Sequence, residues 1–149
     1  MRVVIQRVLE ASVSINNKIY NKINKGLLLL VAFTNNDTLE DLEYVSHKII
    51  NLRIFNDSNN KLNLSIKDLN YEILSISQFT LYAETKKGNR PSFTRSLNPI
   101  EAKKLYEEFN NLLNKEITTK SGIFQEDMKI NLINDGPVSI IIDSKMRDF

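Results

Sequence analysis

Glu72-Ile73-Leu74-Ser75-Ile76-Ser77-Gln78-Phe79-Thr80-Leu81 begins as a buried strand and ends as something else. Ile73, Leu74 and Ile76 suit a core strand, which is expected to run from Glu72 to Phe79. A strand serving only the core would keep burying hydrocarbon, yet Ser77, Gln78 and Thr80 bring two hydroxyls and an amide to its end. A second stretch, Asn134-Asp135-Gly136-Pro137-Val138, puts Gly-Pro between two strand-like segments, Met128 to Ile133 and Val138 to Asp143. The glycine permits close backbone approach there, and the proline has no N–H to give to a ladder.

Working outward, Arg2 to Ile15 alternates loosely and favours β-branched residues, and Asn16-Asn17 offers a tight turn into Lys18 to Ile23, which makes a hairpin. Asn24-Lys25-Gly26 supplies a second turn, with positive φ expected at the glycine, leading to the apolar strand Leu27 to Phe33. Asp37 or Thr38 can cap a helix, with Glu40 or Asp41 three residues on. Its apolar stripe is Leu42, Val45, Ile49 and Leu52. Arg53-Ile54-Phe55 reads as a short strand, Asp57 to Lys61 as a polar turn, and Leu62 to Leu69 as a short strand or a loop. Asn98 as N-cap, Pro99 at the first helical position and Glu101 announce a second helix, with Ala102, Leu105, Phe109, Leu112 and Leu113 on its buried face. Shorter segments at Ile117 to Thr119 and Gly122 to Phe124 precede the pair around Gly136-Pro137. The expected architecture is one α+β domain over residues 1–149, a curved antiparallel sheet tending to a barrel with two helices packed outside.

At 149 residues the chain can bury a sizeable single core. The longest apolar run, Leu27 to Phe33, is too short to span a bilayer, and the N-terminus reads directly as a strand with no signal-peptide pattern, so a cytoplasmic location without membrane association is expected. Cysteine is absent, which excludes thiolate nucleophiles, disulfides and thiolate metal sites. The one histidine, His47, falls off the apolar stripe of its helix and reads as a surface residue, against a Ser-His-Asp triad or a histidine metal site. No glycine pattern for a nucleotide cofactor occurs, so neither metal nor cofactor is expected.

The net charge of +2 says little about nucleic acid, but its distribution says more. Lys86, Lys87, Arg90 and Arg95 fall within ten residues that hold no acid, with Phe93 among them. Such a loop either follows a phosphate backbone and offers an aromatic face, or is simply a solvated basic loop. Arg7 interrupts the strand Val3 to Val8, and is either a polar-face side chain or a functional one.

These runs resemble the D-aminoacyl-tRNA deacylase family, whose signatures are an SQFTL block and an N-x-GPV block. The likeness extends in order to Met1-Arg2-Val3-Val4-Ile5-Gln6-Arg7-Val8, Asn51-Leu52-Arg53-Ile54-Phe55, Tyr82 through Phe93 and Asp127-Met128-Lys129. The resemblance implies a homodimeric ester hydrolase that frees D-amino acids, and mischarged glycine, from tRNA. Such an ester is already activated and its vicinal ribose hydroxyl can assist, so orientation and oxyanion stabilisation matter more than a strong base. It implies substrate positioning by Ser77 and Gln78, oxyanion stabilisation by the backbone at Phe79 and Thr80, and rejection of L side chains by a cis Gly136-Pro137 reaching into the partner's pocket, braced by Arg7. Thr80 as a nucleophile is the alternative, although no base to activate it is evident. For tRNA contact it points to Lys86, Lys87, Arg90 and Arg95, with Phe124 and Met128 either receiving the terminal adenosine or serving the core. Two departures stand out: Ser139 where the family has Thr, and Phe124-Gln125-Glu126-Asp127-Met128 for F-G-A-D-M. Competing readings are a deacylase of L-aminoacyl mischarges, a non-catalytic nucleic-acid-binding protein and a structural dimer.

Overall fold

The computed structural model describes residues 1–148. The chain order is β1 (Arg2–Ile15), β2 (Lys18–Ile23), β3 (Gly26–Ala32), α1 (Leu39–Asn51), β4 (Phe55–Asn56), β5 (Leu62–Leu64), α2 (Ile66–Leu69), β6 (Glu72–Ser77), a 3-10 turn (Phe79–Tyr82), α3 (Pro99–Asn114), β7 (Thr119–Ser121) and β8 (Lys129–Asp143). β1 is the spine of a six-stranded sheet: β8 runs antiparallel along one edge of it, while β3 and β2 share the other. The sheet is mixed, because β3 to β6 and β6 to β7 pair in parallel. The helix-containing connections after β3 and β6 are long enough to bring the chain back in the same direction.

The two-residue hairpin turn forms as expected, with Asn16 at φ 50° and Asn17 at φ 64°, conformations that asparagine tolerates. Gly26 departs from expectation. It does not adopt positive φ; it is required by closeness, since a β-carbon there would lie 1.9 Å from the Glu72 carbonyl oxygen. Only a residue without a side chain lets β3 and β6 start in register.

Two apolar clusters fill the two faces of the sheet. Met1, Val3, Ile5, Leu27, Leu29 and Ile73 meet α1 and α3 on one face, through Leu42, Val45, Ile49, Phe109 and Leu113. Val8, Ala11, Val13, Leu28, Leu74 and Ile76 gather on the other, with Met128, Ile130 and Leu132 packed against them. Ordinary alternation puts Val3 and Ile5 in the first cluster and Val8 in the second, and the change of parity at the register shift between Val8 and Glu10 lets Ala11 and Val13 join Val8 there. His47 is exposed, as its position off the stripe required.

Leu62 to Leu69 resolves into β5 and the single turn α2, so the described residues form three α-helices rather than two. Ser65 caps α2, accepting from the Asp68 N–H while the Asp68 carboxylate takes the Ser65 N–H at 2.8 Å. A four-residue helix shows no apolar periodicity, and only its cap leaves a mark in the sequence. The expected strand Glu72 to Phe79 ends at Ser77, and the chain then tightens into the 3-10 turn.

At α1, Thr38 and Asp41 form the capping pair: Asp41 Oδ2 accepts from the Thr38 N–H at 2.9 Å and from Lys145 Nζ at 2.7 Å. Burial pushes the Asp41 carboxyl up, but the hydrogen bonds from Lys145, Ser144 and Thr38 together outweigh it and hold the group well below the usual carboxylate range. A depressed pKa contributes stability above the ordinary aspartate value of about 4, and that contribution is lost as pH falls from there towards the folded value. Asp41→Asn is therefore expected to cost about 2 kcal/mol at neutral pH. Urea titrations should find the gap between variant and parent closing below about pH 3.

Candidate active site

A cleft of about 670 Å³ opens between the end of β6, the start of α3 and the Phe124–Met128 turn. This is within the range of small-molecule sites. Its floor is apolar, from Ile76, Ala102, Phe124, Met128 and Ile130, and its polar rim holds Ser77, Gln78, Ser96, Asn98, Gln125 and Glu126. The Asn98-Pro99 helix start also brings the first turn of α3 to the cleft. Asn98 Oδ1 accepts from the Glu101 N–H at 3.1 Å, which sets that turn's position.

The strand end is where sequence and structure differ most usefully. After Gln78 donates its backbone N–H to the Val31 carbonyl at 2.7 Å, the chain leaves the ladder and turns. Phe79 and Thr80 open the 3-10 turn, so their N–H groups lack intrahelical acceptors, and neither finds another acceptor among the described residues. Gln78 Nε2 donates to Thr80 Oγ1 at 2.6 Å, fixing both side chains beside those N–H groups. Phe79 is 57% exposed and meets Phe93 edge-on at 5.1 Å. Ser96 Oγ donates to the Phe79 carbonyl at 3.0 Å, and Arg2 Nη1 to that of Leu81 at 2.8 Å, so the turn is held at both ends. Arg2 is itself tied to the buried Asp143, through Nε at 2.9 Å. Sequence reading missed Arg2 because its partners lie more than seventy positions away.

Phe124 and Met128 both pack against the core clusters and also line the cleft. Tyr106 lies beneath, with its ring 5.9 Å from that of Phe124 and its hydroxyl donated to the Ser75 carbonyl at 2.7 Å. Burial pushes the Tyr106 phenol up, so it stays a donor. Lys86, Lys87 and Arg90 are exposed on a loop closed by the Glu84–Ser92 bridge, Arg95 is exposed three residues beyond it, and none of the four forms an ion pair among the described residues. They stand outside the cleft, which the loop reaches through Phe93.

Arg7, Gly136 and Pro137 form a second constellation that does not line this chain's cleft. The two expected strands around Gly-Pro are one strand, β8, with an excursion in the middle. Asn134 pairs with Val8 and Ser139 with Gln6, so residues 135–138 loop out opposite Arg7. The Gly136–Pro137 bond is cis. Arg7, 7% exposed, gives Nε to the Asp135 carbonyl at 3.0 Å and Nη1 to the Ile54 carbonyl at 2.8 Å and Asn56 Oδ1 at 3.1 Å. It is thus neither a polar-face residue nor free; it ties the excursion to the strand β4 beside it. Asn134 closes the base, accepting from the Val138 N–H at 2.9 Å and donating to Ser139 Oγ at 3.0 Å. The departure at Ser139 keeps the hydroxyl that this contact uses. Asn134→Ala is expected to cost about 1 kcal/mol, measured by thermal unfolding, because the Val138 N–H then loses its acceptor.

Among the described residues no cluster of three His, Cys, Asp or Glu side chains converges as metal ligands. Among the described residues no helix is long and apolar enough to cross a membrane. The described residues form a curled mixed sheet flanked by helices, with a cleft that ends in hydroxyls, an amide and unsatisfied N–H groups. One solved chain similar to it, named "c-Myc DNA Unwinding Element Binding Protein", is 37% identical with TM-score 0.91, over 96% of this chain and 98% of that one. Another, described as "a probable eukaryotic D-amino acid tRNA deacylase", is 17% identical with TM-score 0.83, over 95% and 97%, a likeness of fold. The family model for D-Tyr-tRNA(Tyr) deacylase matches residues 4–143, and the chain belongs to that family. Its reaction is hydrolysis of the ester that joins a D-amino acid to tRNA.

Proposed function

We propose that the cleft hydrolyses D-aminoacyl-tRNA, and Gly-tRNA with it, by holding the ester carbonyl against the Phe79 and Thr80 N–H groups while the vicinal ribose hydroxyl assists departure. The observation that carries this reading is the pair of unsatisfied N–H groups at the end of β6, beside Gln78 and Thr80. Donors fixed before the reaction stabilise a developing oxyanion without reorganising, an effect worth about 10²–10³ in kcat per donor. Ser77 and Gln78 orient the aminoacyl group. Thr80 serves through its backbone, since Gln78 donates to its hydroxyl and no base stands beside it among the described residues.

Chiral selection in this reading is made across two copies of the chain, in the cytoplasm where aminoacyl-tRNA is used. Gly136-Pro137 of one copy enters the cleft of the other and leaves no room for an L side chain. Support comes from the position of this pair, exposed and away from its own cleft. Ile133 and Ile141, 50% and 47% exposed on the same strand, offer apolar surface to a second copy. A fixed wall reaches discrimination beyond the roughly 1–3 kcal/mol that one methylene in an apolar pocket supplies. Lys86, Lys87, Arg90 and Arg95 follow the phosphates of the acceptor end.

Deacylation of D-Tyr-tRNA, L-Tyr-tRNA and Gly-tRNA at equal enzyme concentration tests the reading. Cleavage of the D and Gly esters with L-Tyr spared is expected, and a 2′-deoxy terminal ribose should slow it. Turnover of none of the three would remove the hydrolase reading. Sedimentation should give the mass of two chains. A second reading, DNA binding, draws on the likeness to the 37%-identical chain, which is named for binding a DNA unwinding element, and on the unpaired cations of the loop. It predicts duplex binding that weakens steeply with salt and survives Gln78→Ala.

A further inference from the structure

β6 delivers the polar end of the cleft, yet it loses a neighbour just before it does so. On one edge β3 accompanies it to its last residue, pairing Val31 with Ser77, and the Gln78 N–H reaches the Val31 carbonyl at 2.7 Å. On the other edge β7 pairs only with Ile73, Leu74 and Ser75, and the Gly122 N–H then gives a last tie to the Ser75 carbonyl at 3.1 Å. Backbone groups alternate between the two edges of a strand, so the Ser77 N–H points to the edge that β7 has left.

Tyr106 occupies that edge. It comes from α3, is 3% exposed, and donates its hydroxyl to the Ser75 carbonyl at 2.7 Å. Burial raises the phenol's pKa, and although the Ser75 and Asn110 side chains and the Ser77 N–H around the oxygen work against that rise, the group stays protonated and remains a donor. The ring meets Phe124 at 5.9 Å between centroids, a contact that does not involve the oxygen. Phe79 and Thr80 follow Ser77 by two and three residues, so slack at Ser77 passes directly to their N–H groups. The other ties of the turn act further along, from Ser96 Oγ to the Phe79 carbonyl at 3.0 Å and from Arg2 to the Leu81 carbonyl at 2.8 Å.

We infer that Tyr106 is a positioning residue for the reaction: its hydroxyl stands in for the missing strand at the end of β6 and fixes the direction in which the Phe79 and Thr80 N–H groups point. This rests on the deacylase reading of the same cleft. Tyr106→Phe removes the oxygen and keeps the ring. Ile49→Val, in the buried face of α1 and outside the cleft, is the control for a small loss of stability. Tyr106→Phe is expected to lower kcat for D-Tyr-tRNA about tenfold with KM unchanged, because misaimed donors are missed chiefly in the transition state. Amide hydrogen exchange at Ser77 and Gln78 is expected to quicken about tenfold relative to Leu74, while Ile49→Val singles out neither position. Asn110→Ala, which removes an amide beside the oxygen and leaves β6 untouched, is expected to lower kcat about threefold with the same exchange pattern, and it decides the matter if Tyr106→Phe does not fold. An unchanged kcat, a loss that Ile49→Val shares, or a loss without selective exchange overturns the inference. If the parent turns over no ester, the hydrolase reading falls and exchange alone decides: selective quickening at Ser77 and Gln78 supports Tyr106 as the holder of the strand end, and uniform exchange overturns it.

Discussion

Gly136→Ala is expected to lower the ratio of D-Tyr-tRNA to L-Tyr-tRNA cleavage by about a hundredfold, mainly by admitting the L ester. Gly136 holds φ +129°, where a side chain is strained, and its surroundings are closed. An added β-carbon would lie 2.9 Å from Val138 Cγ2, 3.1 Å from Arg7 Nη2 and 3.2 Å from the Val138 nitrogen. Val138 and Arg7 are both anchored, so the excursion itself must move. A displacement of about 1 Å in a positioning element can change rates by about 10²-fold. If the excursion is the wall, that displacement opens room for the L side chain while the Phe79 and Thr80 N–H groups of the 3-10 turn stay where they were. Paired measurements of kcat/KM on the two esters decide it. An unchanged ratio in a folded variant would mean that selection is made elsewhere in the cleft.

Arg7→Ala is expected to destabilise the domain by about 3–4 kcal/mol and to erode selectivity as well. The guanidinium is almost wholly buried and serves three acceptors on two elements, Ile54 and Asn56 on one side and Asp135 on the other. Truncation leaves those acceptors unpaired and a void beside them, and removal of a buried, hydrogen-bonded charged group sits at the high end of single-residue effects. Its partner Asp135 is 43% exposed in its side chain, so the carboxylate contact at 3.3 Å contributes little; the carbonyl contacts dominate. Arg7→Lys should recover only part of the loss, because one ammonium cannot span both sides as the planar fork does. Urea unfolding gives the stability, and the D to L ratio measured well below the transition separates selectivity from folding. Equal stability of all three proteins would show that the clamp is dispensable.

Strand and helix positions were readable because their signals are local. Asn16-Asn17 marks a two-residue turn whatever surrounds it, and Asn98-Pro99 with Glu101 starts a helix by satisfying its own first N–H groups. The single turn at Ile66–Leu69 escaped because one turn carries no period, and the 3-10 turn at Phe79–Tyr82 escaped because β-like composition runs straight through it. The Gly136-Pro137 signal was read as a break between two strands, where β8 is one. Only the register of β8 against β1 reveals that four residues loop out opposite one arginine.

What the amino-acid order determined by itself was therefore most of the strands and the two long helices, the absence of thiols, and the two blocks that carry the family's signature. Tertiary structure decided which of those residues share a site. It brought Ser77, Gln78 and Phe79 to a cleft with Phe124, Met128 and Glu126, and left Arg7, Gly136 and Pro137 at another surface of the same chain. It also turned Gly26 from an expected turn residue into a point of contact between β3 and β6. The reason is physical: a cap or turn is satisfied within a few residues, whereas a cleft exists only where segments far apart in sequence are pressed together. The packing of two apolar clusters on opposite faces of one bent strand sets that arrangement, and no local pattern encodes the bend.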